Sequence, residues 1–193
     1  MRTAGPEGNA RLTALTGAAL LVLLAVEGVT LLSLRSMLSW HIFVGLLVIP
    51  VVALKLASTG YRIYRYYTRR ADYVEAGPPH LLLRLLGPIV ALTTVALLAT
   101  GIVLILQKPG GGLTLLLHKA SFAVWVAALG AHALAHVSRL PHVLRSDLSG
   151  RDQVGGSRGR LLLVAGVVVI GAIAAVALLP LSTSWVHWLQ VEH

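Results

Sequence analysis

Residues 161–181 read LLLVAGVVVIGAIAAVALLPL. This stretch has no charged side chain, and apart from glycine and Pro180 it consists of leucine, valine, alanine and isoleucine. The hydrocarbon core of a bilayer is about 30 Å thick, and a helix needs roughly 20 apolar residues to cross it. The stretch therefore predicts a transmembrane helix.

Four further apolar runs precede it, at 12–34, 40–60, 81–106 and 113–137. Hydrophobic residues make up 56% of the chain and charged residues 12%, and the mean hydropathy is +0.82. A soluble domain of this size could not cover so much apolar surface with polar groups. We therefore predict an all-α, polytopic transmembrane bundle with five spans, in which Pro50 is expected to kink the second span.

Polar segments divide this bundle. Residues 149–160 read SGRDQVGGSRGR, a composition typical of a flexible linker. The predicted organisation is a cytoplasmic N-terminal tail (1–11), a four-helix membrane domain (12–140), a cytoplasmic linker (141–160), a fifth transmembrane helix (161–181) and an outer C-terminal tail (182–193).

Positive charges predict the orientation. Cytoplasmic loops of membrane proteins carry an excess of Lys and Arg. The loops and helix flanks on one side of the predicted bundle carry far more cations than those on the other side. The first side contains Arg2, Arg11, Arg62, Arg65, Arg69, Arg70, Arg84, Arg139, Arg145, Arg151, Arg158 and Arg160, and the second contains Arg35, Lys108 and Lys119. The N-terminus is thus predicted to be cytoplasmic and the C-terminus outside. Because these cations lie between apolar runs, they indicate contact with a lipid bilayer and not with nucleic acid.

Few residue types in this chain could bind a metal ion or a cofactor. The chain has no Cys, two Met and eight His, which excludes disulfides, iron–sulfur clusters and covalent attachment of a c-type haem. A metal or cofactor would have to be held by His, Met, carboxylate or backbone groups.

Two histidines are placed to meet across the bundle. His41 lies at the start of the second run, and His118 lies about one turn into the fourth. Both spans run from outside to inside, so the two imidazoles are expected at similar depth. Two neutral imidazoles facing each other across a helical bundle are what a six-coordinate b-type haem requires.

The fourth span carries two more histidines. His132 follows His118 by about 21 Å of helical rise with a rotational offset of roughly 40°, and His136 follows it by about five turns on the same face. The spacing suits a second haem nearer the cytoplasmic side, for which His80 is the available partner from another helix. Packing or helix capping would equally explain His136, and His80 is compatible with an ordinary loop residue. Lys55 occupies the corresponding depth on the second span.

The pattern resembles the four-helix bacterial membrane cytochromes b that serve as haem subunits of formate dehydrogenase and nickel hydrogenase. The resemblance covers roughly residues 12–140 and rests on Trp40-His41, on residues 117–122 (LHKASF) and on residues 131–136 (AHALAH). In that family the fourth helix donates two His 14 residues apart, which His118 and His132 match, and the second helix supplies the outer partner, which His41 matches. The family's inner partner usually comes from the first helix, which has no His here.

The resemblance implies a subunit of the bacterial inner membrane that binds haem b and relays electrons between the quinone pool and a peripheral oxidoreductase, a molybdenum enzyme being one candidate. One haem is expected and a second is left open. We expect an electron-transfer subunit and not a stand-alone enzyme; a ferric or quinone reductase acting alone would need both haems. The alternative from another class is a haem-free small transporter or assembly scaffold.

Glu27 is the remaining costly residue in an apolar run. It could accept a proton or bind a quinol. It could equally be a protonated carboxyl satisfied by Thr30 or by a neighbouring backbone carbonyl.

Overall fold

The computed structural model describes residues 5–75, 77, 81–110, 112–137 and 156–191. Within these ranges the chain forms helices joined by turns and contains no strand. Five of the described helices are long and apolar enough to cross a membrane, which confirms the predicted all-α transmembrane architecture. The helices are α1 (Pro6–Leu31), α2 (Leu34–Tyr67), α3 (Ala71–Glu75), α4 (Leu81–Leu106), α5 (Leu113–Val137), α6 (Ser157–Leu178) and α7 (Thr183–Val191), with a 3₁₀ turn (Leu179–Ser182) between the last two.

The helix bounds follow the apolar runs closely for the third and fourth spans. The second span differs, because α2 has 34 residues and is about 51 Å long, well beyond the ~30 Å of a hydrocarbon core. Residues 61–67, predicted as part of a loop, continue this helix, and α2 is continuous through Pro50. The segment predicted as an outer tail contains α7. Most of the predicted linker lies outside the described residues.

The spans pack as two groups. Helices α1, α2 and α6 form a three-helix group, and α4 and α5 form a hairpin whose helices pack mainly against each other. Leu98 of α4 packs against Val44, Val48 and Val52 of α2, and Ile105 packs against a cluster that contains Ala175 of α6. The hairpin thus contacts the three-helix group chiefly through α4.

Small residues allow α6 to approach α2 closely. A Cβ on Gly171 would lie 2.5 Å from the Leu47 carbonyl oxygen and 3.0 Å from Cγ of Pro50, and Ala175 one turn later is completely buried. Because only a hydrogen atom fits at residue 171, glycine sets the spacing of the two helices.

Large apolar side chains are exposed on the outer surface of every span. Val22, Leu92, Leu134 and Ile173 are examples, with exposed fractions between 64% and 76%. Such a surface is stable in lipid and not in water. The chain is a multi-pass membrane protein.

An aromatic cluster packs at the C-terminal end of α2. The guanidinium of Arg65 lies 5.6 Å from the ring centroids of both Tyr61 and Tyr73, and the two rings meet edge to face. Tyr73 is buried and belongs to α3, so the cluster holds that short helix against α2.

Candidate functional site

Four helix ends bring the candidate residues together. The turn at residues 32–33 joins α1 to α2, so Glu27, near the end of α1, lies opposite His41, about two turns into α2. In the same way Thr100, near the end of α4, lies opposite His118, in the second turn of α5. We call this end of the bundle the His41 end.

The imidazole of His41 is held by α1. Its Nδ1 lies 2.8 Å from Oε1 of Glu27 and 3.3 Å from Oγ1 of Thr30. The Thr30 hydroxyl donates to the Glu27 main-chain carbonyl at 2.6 Å, so toward the ring its oxygen can only accept. Two acceptors at Nδ1 place the ring proton there and leave the Nε2 lone pair available.

The imidazole of His118 is held in the same manner by α4. Its Nδ1 lies 3.0 Å from Oγ1 of Thr100. The Thr100 hydroxyl donates to the Ala96 carbonyl at 2.7 Å, so its oxygen also serves the ring as an acceptor. His118, too, therefore carries its proton on Nδ1 and has a free lone pair on Nε2.

A glycine makes room for this second ring. A Cβ on Gly101 would lie 3.3 Å from Cε1 of His118, closer than most real contacts. The absence of a side chain at residue 101 allows the imidazole to lie flat against α4.

The two imidazoles lie at the same end of the bundle, and both side chains are partly buried. Among the described residues, Nε2 of neither ring has a hydrogen-bond partner. Each of His41 and His118 thus has its Nδ1 beside an acceptor on the preceding helix and no hydrogen bond at Nε2 within the described part of the chain.

This donor set fits a bis-His haem. Metal-ligating histidines usually donate their other N–H to a carboxylate or carbonyl, which fixes the tautomer and the ring orientation. His41 shows that arrangement with Glu27, and in His118 the Thr100 hydroxyl oxygen takes the place of the carboxylate. No group of three or more His, Asp or Glu side chains in the described part of the chain is arranged to hold a metal ion. A haem needs only two, because the porphyrin nitrogens occupy the other positions.

Of the other predicted ligands, the structure describes the side chain of His132 alone. His132 is partly buried on α5. His136 is within α5, but its side chain lies outside the described residues, as does the whole of His80. Lys55, at the matching depth on α2, donates to the Thr13 carbonyl of α1 at 2.5 Å. The residues described here therefore assemble one histidine pair, at the His41 end.

The carboxyl of Glu27 contacts His41, a partner that the sequence did not indicate. The Thr30 hydroxyl bonds the main chain of residue 27, and the carboxylate pairs with His41 instead. The second carboxylate oxygen, Oε2, is buried and has no hydrogen-bond partner among the described residues. Sequence reasoning missed this pair, and Thr100 with it. Thr100 lies about as far before the end of α4 as His118 lies after the start of α5, so comparing these distances would have detected it. No such signal identifies Glu27, which lies nearer to its helix end than His41 does.

Comparisons with known proteins add no relative: no protein-family model, curated protein or solved structure matches the chain.

Proposed function

We propose that the chain is a membrane electron-transfer subunit that binds a b-type haem between α2 and α5, with Nε2 of His41 and of His118 as axial ligands. The observation that carries the proposal is the matched pair of imidazoles at one end of the bundle, each with its Nδ1 beside an acceptor on the preceding helix and with no hydrogen bond at Nε2 among the described residues. Haem would supply the one-electron chemistry.

The packing of α5 supports this location. The helix packs against α4 and has few direct contacts with the three-helix group, although His118 lies close to His41 of α2. Space between α2 and α5 is where a porphyrin could lie. The residues on this chain contribute orientation: Glu27 and Thr30 hold one ring, and Thr100 and Gly101 hold the other.

The charge of Glu27 would affect the bound group directly. A carboxylate that accepts the Nδ1 proton increases the basicity of a ligating imidazole. It also places negative charge near the metal, which favours the more positive oxidation state. Glu27 would thereby lower the reduction potential.

A second haem on the opposite side of the membrane would take His132 or His136 of α5 as one ligand and His80 as the other. The number of haems per chain would answer this question. Two haems would also be the requirement for a ferric or quinone reductase that acts alone.

The environment of the subunit follows from the charge pattern and the resemblance. We place it in the bacterial inner membrane with a cytoplasmic N-terminus, where it would exchange electrons with quinone and with a peripheral oxidoreductase, a molybdenum enzyme among the candidates.

The buried core favours electron transfer over transport. A transporter would be expected to have a continuous path of polar groups between its intramembrane polar residues. Here those residues are Glu27 and Lys55, which lie at different depths. Val44, Val48 and Val52 form a buried apolar cluster on α2 between those depths, covered by leucines of α1. Electrons can tunnel across such a layer, whereas a polar substrate or a proton would need polar groups.

An absorption spectrum of the purified protein tests the proposal. The reduced protein should show the α and Soret bands of a low-spin b haem. His41→Ala and His118→Ala should each remove them, while His187→Ala, at an exposed position of α7, should leave them unchanged. A haem-free wild-type protein expressed with adequate haem supply would exclude the proposal.

A further inference from the structure

The two imidazoles of the candidate site belong to different packing groups. His41 is on the three-helix group and His118 is on the hairpin. Because α5 itself has few contacts with the three-helix group, the distance between the two rings depends on how α4 is held.

The C-terminal segment makes a polar connection between the groups. The indole Nε1 of Trp185, in α7, donates to the carbonyl of Leu104 at 2.5 Å and to that of Gln107 at 3.1 Å. Carbonyls in the last turn of a helix lack intrahelical partners, so the indole caps the end of α4. Trp185 is 9% exposed, and a hydrogen bond sheltered from water in this way is costly to lose.

The other side of the connection is fixed to the three-helix group. The 3₁₀ turn before α7 continues directly from α6, and α7 packs against α2. Arg35, in the first turn of α2, donates to the Gln190 carbonyl near the end of α7 at 3.4 Å. The indole of Trp185 is therefore carried by a segment that is attached at both ends to the group that contains His41.

We propose that Trp185 is a positioning residue: by joining the end of α4 to the three-helix group, it sets the distance between His41 and His118. Thr100 and Gly101, which contact the His118 ring, lie one to two turns before the capped carbonyls, so displacement of that helix end displaces the ring. The consequence for haem rests on the proposed function, whereas the consequence for the distance between the two groups does not.

Distance measurement between spin labels tests this directly, because the chain has no cysteine. Leu32 and Leu113 are 85% and 68% exposed at the His41 end, one on each packing group, and can be replaced by labelled cysteines. Trp185→Phe retains the apolar ring and removes the N–H. It should broaden the distance distribution and lower the haem retained per chain at least twofold.

Trp125→Phe is the matched control. Trp125 is also 9% exposed and its indole also donates a hydrogen bond, at 2.8 Å to Thr94 Oγ1, but both residues belong to the hairpin. This variant loses the same type of bond and should leave the Leu32–Leu113 distribution as in the wild type. Trp185→His, which keeps a ring N–H, should give a narrower distribution than Trp185→Phe.

The outcomes separate the two proposals. A distribution unchanged in both Trp185 variants would overturn the positioning role, whatever the haem content. An equal broadening in Trp125→Phe would overturn it as well, because the effect would then be one of general stability. A broadened distribution in Trp185→Phe together with a haem-free wild-type protein would support the positioning role and reject the proposed function.

Discussion

Oε1 of Glu27 lies 2.8 Å from Nδ1 of His41, so a carboxylate on the first span orients an imidazole on the second. The first helix has no histidine, but through Glu27 and Thr30 it holds the ring of a histidine on the second helix.

Replacing Glu27 by Gln should raise the reduction potential of the bound haem. The substitution removes a negative charge that favours the ferric form and leaves an amide of nearly the same shape. A tenfold change in the one-electron equilibrium corresponds to ~59 mV, and we expect an increase of about that size in a potentiometric titration. Glu7→Gln, which removes a carboxylate paired with Arg11 at the other end of α1, should not change the potential. A lower potential in Glu27→Gln would contradict the assigned role.

Replacing Gly101 by Ala should weaken haem retention. The new methyl group would lie 3.3 Å from Cε1 of His118 and would tilt or displace the ring. Loss of ligand support typically costs about 10-fold or more in affinity, which haem-transfer kinetics to an apoprotein acceptor would measure. Gly87→Ala on the same helix, where a Cβ meets nothing within 4 Å, is the control. Equal retention in the two variants would show that the ring does not depend on Gly101.

Replacing Gly171 by Ala should destabilise the protein independently of any cofactor. Its Cβ would overlap the Leu47 carbonyl oxygen at 2.5 Å, so α6 would have to move away from α2. Overpacking of this kind costs about 1–3 kcal/mol, measurable as a lower midpoint of thermal unfolding in detergent. Gly166→Ala, with open space around its Cβ, should be neutral or slightly stabilising. A wild-type midpoint for Gly171→Ala would refute the close crossing.

Tyr73 should ionise at higher pH than the exposed tyrosines. Burial raises the pKa of the Tyr73 phenol, and nearby Tyr61 adds to this effect, while Arg65 opposes it. Because the pKa in the folded state is above the unfolded value of about 10, the contribution of the neutral phenol to stability is complete below that value and is lost as the pH rises through the folded-state pKa. In a pH titration followed by the near-ultraviolet absorbance of tyrosinate, Tyr73→Phe should remove the component that appears at the highest pH. A titration in which that component is unchanged in Tyr73→Phe would contradict this prediction.

The sequence predicted what depends on local composition. Continuous apolar runs located the spans, and for α4 and α5 they located both ends, because an apolar segment in lipid must satisfy its backbone hydrogen bonds internally as a helix. The matched depth of His41 and His118 is consistent with their location at the same end of the bundle. Their role as haem ligands stays a prediction, as do the roles of His80, His132 and His136.

The remaining features depend on tertiary packing. The contact between Glu27 and His41 requires a particular rotation of α1 about its axis, which an almost uniformly apolar helix does not reveal. The bonds from Trp185 to α4 join residues about 80 positions apart, and the aromatic residue alone indicates only an interfacial location. The extension of α2 to Tyr67 was missed because its aromatic and basic residues are equally typical of an interfacial loop.

The close crossing at Gly171 also has a consequence for biosynthesis. Helix α6 covers the surface of α2 around Leu47 and Pro50, and it is synthesised after α1 to α5. Until then, lipid must cover that surface and the end of α4 lacks its indole cap. Assembly of the region around His41 and His118 is thereby postponed until translation has passed Trp185, so premature termination would release a protein that inserts in the membrane but has an unfinished site.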